Sequence, residues 1–151
     1  MNLQAFCPCG AIAPTDDSTF TPGVGVGSGL GGGGRLAYDA CCRPLHDGEA
    51  QAETAERLMR SRYAAYAVGN LDYVFRTWHP RTRPDDLSPD SGLRWTGLTI
   101  VDTTDGGPDD ETGEVEFVAT FTNHGTVGEL HERSRFSRRA RRWVYVDGTL
   151  Y

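Results

Sequence analysis

The chain has 151 residues, a formal charge of −6 and 38% hydrophobic residues, with no run of 18 apolar residues. That length suits one domain with an appendage and excludes a hydrophobic membrane-spanning helix. The negative balance argues against broad nucleic-acid binding through counterion release. All 15 basic residues are arginine, which removes the amine that a Walker-A phosphate loop or a Schiff-base mechanism needs.

The first informative element is a pair of cysteines, Cys7-Pro8-Cys9-Gly10, matched by a second pair, Cys41-Cys42. Pro8 stiffens the first pair and Gly10 frees the backbone after it. Four thiolates in two short clusters are the ligand set of a tetrahedral Zn²⁺. Bonding Cys7 to Cys9, or Cys41 to Cys42, would close small strained rings, but disulfides between the pairs are open to an oxidising compartment. The leading Met-Asn-Leu-Gln-Ala-Phe has neither a basic stretch nor an apolar core, so no secretory signal is read there and a cytoplasmic location is expected.

Residues 11–37 hold a glycine-rich stretch that cannot repay its ordering entropy by burial, and a flexible insertion is expected. Gly27 to Gly32 spells G-x-G-x-x-G, yet no strand precedes it and no helix follows, so a dinucleotide site is rejected.

Residues 53–68 predict an amphipathic helix with Ala55, Leu58, Met59 and Tyr66 on one face and Glu56, Arg57 and Arg60 elsewhere. Arg62 falls in the middle of the apolar face. Asn70 can cap a second helix carrying Leu71, Val74, Phe75 and Trp78, which Pro80 ends. Beyond a polar connection (81–92) the period changes from 3.6 to 2, and strands are expected at 93–103, 114–123, 127–138 and 142–147. Val115, Phe117, Ala119 and Phe121 mark the apolar face of one of them. Helices followed by antiparallel strands give an α+β domain.

Arg62 on a core-facing stripe demands a partner, and Glu132, which shares a strand face with Leu130, Ser134 and Phe136, is the first candidate. Together with Trp78 and His79 these residues outline a pocket for a small anionic ligand. His79 and Glu132 are the only candidates for acid–base catalysis, and the structural role is favoured for both. Asp147-Gly148 reads as a strand-ending turn. Six arginines between Arg133 and Arg142 read as a solvated hairpin tip, since no aromatic base-stacking platform interleaves them. His46 is an alternative metal ligand to Cys42.

Cys-Pro-Cys-Gly followed by Tyr-x-x-Cys-Cys resembles the SEC-C zinc motif. Pro44-Leu45-His46-Asp47-Gly48, the run Ala55 to Tyr66, Thr77-Trp78-His79-Pro80, Glu132 to Phe136 and Trp143 to Gly148 resemble the YchJ family of bacterial proteins. The resemblance implies an N-terminal SEC-C-like module over 1–48, with Cys7, Cys9, Cys41 and Cys42 on zinc, and a nuclear-transport-factor-2-like cone of helices against a curved antiparallel sheet over 49–151. It departs from the family in the 31 residues between Cys9 and Cys41, where only a few are usual. The expected function is a zinc-binding, non-catalytic interaction or binding protein, with a protein partner contacted through the zinc module. The alternative is an enzyme or sensor using the cone cavity.

Overall fold

The computed structural model describes residues 6–11, 35–88 and 92–151. The glycine-rich stretch and the G-x-G-x-x-G run at Gly27–Gly32 lie outside the described residues. A single 3-10 turn, Tyr38–Ala40, leads into helix α1 (Arg43–His46), α2 (Ala55–Val68) and α3 (Leu71–Arg76). Four strands follow: β1 (Leu93–Asp105), β2 (Thr112–Asn123), β3 (Thr126–Arg139) and β4 (Arg142–Leu150). They form one open, curved antiparallel sheet in chain order, each strand joined to the next by a hairpin. Among the described residues, no helix is long and apolar enough to cross a membrane.

Helix α2 begins where Thr54 accepts a hydrogen bond from the Arg57 amide at 3.1 Å and stops at Gly69, whose φ of 82° is the left-handed conformation that ends helices. Its face of Ala55, Leu58, Met59, Tyr63 and Ala64 packs on the concave side of the sheet, against Val115, Phe117, Ala119, Phe136 and Trp143. Those strand residues alternate with half-exposed neighbours, the period expected of a sheet with one face buried. Two bulges in β1, at Trp95/Gly97 and Ile100/Asp102, accompany the curvature. Gly106, at φ 80°, admits the start of α2: a Cβ there would stand 2.7 Å from that of Ala55, whose amide donates to the Gly106 carbonyl.

Three expectations are corrected. Tyr66 is 37% exposed rather than core. The second helix ends at Arg76, two residues before Trp78. Strand β4 is one edge of the sheet, and its open side takes over: Tyr145 donates to the Thr77 carbonyl at 2.8 Å and accepts from the His79 amide at 2.7 Å. Pairing with a strand edge satisfies more backbone groups than one further helical turn before Pro80. Asp147 and Gly148 lie inside β4 rather than in a turn beyond it.

Candidate metal centre and adjoining cavity

The two cysteine pairs are brought together by backbone pairing. The Cys7 amide donates to Leu36 O at 2.8 Å, the Leu36 amide donates to Ala11 O at 3.1 Å, and Phe6 bridges Ala37. A turn at Cys7–Gly10, closed by Gly10 N donating to Cys7 O, aims Cys7 and Cys9 to one side. The 3-10 turn delivers Cys41 and Cys42, with Cys41 N donating to Tyr38 O. The four Sγ atoms lie within 4.8 Å of one another, and all four residues are buried free thiols. Cys9 and Cys41 Sγ are 3.5 Å apart, Cys41 and Cys42 Sγ 3.9 Å. Sulfurs about 2.3 Å from one central ion would stand about 3.8 Å apart in a tetrahedron, so the cluster has metal-site dimensions.

Its electrostatics ask for a cation. Hydrogen bonds from Cys42 and Cys7 hold the Cys9 thiol down to about 2. Cys41 is pushed up to about 12 by burial and by the charge on Cys9, and Cys42 is pushed up by its hydrogen bonds to Cys7 and Cys9. Thiols alone thus divide one charge unevenly, whereas a divalent ion lets every sulfur ionise.

Two residues that the sequence placed on the polar side of α2 belong to this centre. Arg57 donates from Nη1 to Cys42 Sγ at 3.3 Å and from Nη2 to the Cys41 carbonyl. Arg60 donates to the Cys9 carbonyl at 2.8 Å. Their i, i+3 spacing, which sets both on one helix face, was the available signal. His46 stands apart from the sulfurs. It is buried between Tyr38 OH (2.6 Å to Nδ1) and Ser61 O (2.8 Å to Nε2), which occupy both ring nitrogens and join α1 to α2.

On the far side of α2 a cavity of about 290 Å³ opens between helix and sheet, lined by Arg62, Trp78, Glu132 and a wall of apolar and aromatic side chains. Arg62 is 6% exposed and donates from Nη1 to Val74 O and Thr77 Oγ1, both at 2.8 Å. Its guanidinium carbon lies 5.1 Å from the Trp78 ring centre and 4.8 Å from that of Tyr145. The expected ion pair to Glu132 is not formed. Tyr145 couples the two instead, with its ring against Arg62 and its hydroxyl donating to Glu132 Oε1 at 2.8 Å. Ser134 Oγ donates to the same oxygen at 2.8 Å. Glu132 occupies space that Gly148 leaves open, since a Cβ there would come within 2.0 Å of Oε1. Trp78 Nε1 is buried without a hydrogen-bond partner among the described residues. His79 does not line the cavity; its amide is bonded to Tyr145 and its Nδ1 accepts from the Arg81 amide at 3.1 Å.

The arginine-rich hairpin divides. Arg133 pairs with Asp102 (2.9 Å), Glu116 (3.4 Å) and Glu114 (3.6 Å), and Arg135 pairs with Asp147. Arg138 caps carbonyls of the β1–β2 turn and stacks over Trp143 at 4.7 Å.

The family described as "YchJ, middle NTF2-like domain" matches residues 54–148. A UPF0225 protein of Streptomyces coelicolor is 54% identical over 112 residues, covering 74% of this chain and 87% of its own length. A UPF0225 protein of Cupriavidus pinatubonensis is 50% identical over 119 residues, covering 75% and 82%. The solution structure of a SEC-C motif containing protein from Rhodopseudomonas palustris superposes with a TM-score of 0.68 at 34% identity, covering 79% of this chain and 95% of that one. A crystal structure of a SEC-C motif containing protein from Psychrobacter arcticus gives 0.66 at 27% identity, covering 97% and 82%.

Proposed function

The chain belongs to the YchJ (UPF0225) family, and on that premise we propose that it is a zinc-stabilised, non-catalytic binding protein, with one Zn²⁺ held by Cys7, Cys9, Cys41 and Cys42. The observation that carries this reading is the convergence of four buried Sγ atoms within 4.8 Å. Four protein sulfurs fill a tetrahedron and leave no position for water or substrate, which is the pattern of a structural site. Four thiolates around a divalent ion leave a net charge of −2, and Arg57 and Arg60 set two positive charges beside it. A site of this kind persists where thiols stay reduced, which favours the cytoplasm.

The metal would tie the N-terminal segment and the turn before α1 to the outer face of α2, whose inner face walls the cavity. The binding reading is preferred to an enzymatic one because His79 is outside the cavity and Glu132 already accepts two hydrogen bonds on one oxygen. Native mass spectrometry of protein purified under reducing conditions tests the metal: one zinc per chain, lost on replacing any one of the four cysteines with serine. Metal-free protein under those conditions would overturn it.

A further inference from the structure

The cavity wall contains a buried cation whose hydrogen-bonding capacity is only partly used. Arg62 commits Nη1 to Val74 and Thr77. Nε and Nη2, which make up the side edge of the guanidinium, have no hydrogen-bond or carboxylate partner among the described residues. A buried guanidinium without a counter-ion is costly, and the Trp78 and Tyr145 rings offset only part of that. Glu132 is better satisfied through Oε1, while Oε2 carries no protein donor among the described residues. The rest of the wall is mostly apolar, with rings from Tyr63, Trp95, Phe117 and Phe136.

We propose that this cavity binds a small aromatic carboxylate bearing a hydroxyl group. The carboxylate lies side-on against Nε and Nη2 of Arg62, because two parallel N–H donors in one plane fit two carboxylate oxygens. The ring packs among the aromatic side chains, and the hydroxyl donates to Glu132 Oε2. A volume of about 290 Å³ sits at the small end of ligand sites and admits one ring with its substituents. A monoanion is favoured over a phosphate, since a second negative charge would face Glu132 with no further cation on the wall. This deepens the binding-protein reading but does not depend on the metal.

The test titrates the full, zinc-loaded chain with 4-hydroxybenzoate and with its neutral counterpart 4-hydroxybenzamide, followed by calorimetry and by protein-observed NMR. The acid should bind saturably and at least about tenfold more tightly than the amide, a difference of about 1.4 kcal/mol. Arg62→Met should erase that preference while zinc per chain stays at one. Ala119→Leu, which fills the cavity from a buried strand position, should abolish binding of both compounds and keeps the test decisive if Arg62→Met does not fold. Equal affinity for acid and amide, no saturable binding at millimolar concentration, or binding that survives Ala119→Leu would each overturn the proposal. Protein that purifies without zinc under reducing conditions and yet prefers the acid would overturn the metal reading alone.

Discussion

Arg57 reaches back from the first turn of α2 to Cys42, placing Nη1 3.3 Å from Sγ while Nη2 holds the Cys41 carbonyl. One side chain thus fixes both the charge and the backbone of the second cysteine pair. A donor on a metal-bound sulfur orients it and offsets its negative charge, and loss of such a contact costs about 10- to 100-fold in affinity.

Arg57→Met should therefore weaken zinc binding by about that factor, measured by competition with a chromogenic chelator. The aliphatic part of the side chain is kept, so the circular dichroism spectrum should not change. Unaltered affinity would show that the contact does not tune the metal.

The cysteines share a hydrophobic cluster with Leu58, Met59, Tyr63 and Phe117, so metal loss should spread into α2. Chelation should lower the melting temperature, since a ligand whose Kd lies a thousandfold below its free concentration adds about 4 kcal/mol. Hydrogen exchange should rise first at 41–46 and along α2, and last in β2 and β3, the central strands. Exchange confined to residues 6–11 and 35–42 would show that the metal module is energetically separate from the sheet domain.

Tyr145 serves Arg62 with its ring and Glu132 with its hydroxyl, and two substitutions separate these roles. Burial, then the charge of Glu132, push its own hydroxyl pKa up, so it stays a donor. Tyr145→Phe should cost about 1 kcal/mol, the worth of one hydrogen bond. Tyr145→Leu should cost roughly 1–2 kcal/mol more, through loss of the cation–π contact and of aromatic packing. Equal losses in urea melts would mean that the ring contributes nothing to holding Arg62.

The β3–β4 hairpin turns through Ala140 and Arg141 at φ 49° and 67°. Both residues are in the left-handed region, which Asn-Gly adopts with little strain. Replacing the pair with Asn-Gly should stabilise the protein by about 1 kcal/mol, read as a shift in the urea midpoint. A destabilised double variant would show that Arg141 makes a compensating contribution in solution.

Local patterns made much of this legible. Val115, Phe117 and Ala119 alternate because one face of β2 is buried, and Asn70 caps the second helix as capping chemistry requires. The cysteine pairs were visible because their spacing is itself the signal. Non-local relations were not. Arg57 and Arg60 read only as residues off the apolar face, because their partners at Cys9, Cys41 and Cys42 are 15 to 51 residues away. Arg62 and Glu132 line one cavity, and the tyrosine between them follows from the register of β4 against β3 and against the Thr77–His79 segment. The same edge of β4 draws Thr77–His79 out of the helix.

The most direct test of the metal centre is X-ray absorption at the zinc edge on the full chain, purified under reducing conditions with its metal content measured. Cys7, Cys9, Cys41 and Cys42 should give one zinc per chain with four sulfur neighbours at about 2.3 Å and no lighter scatterer in the first shell. A shell containing nitrogen or oxygen, fewer than four sulfurs, or protein free of zinc would contradict it.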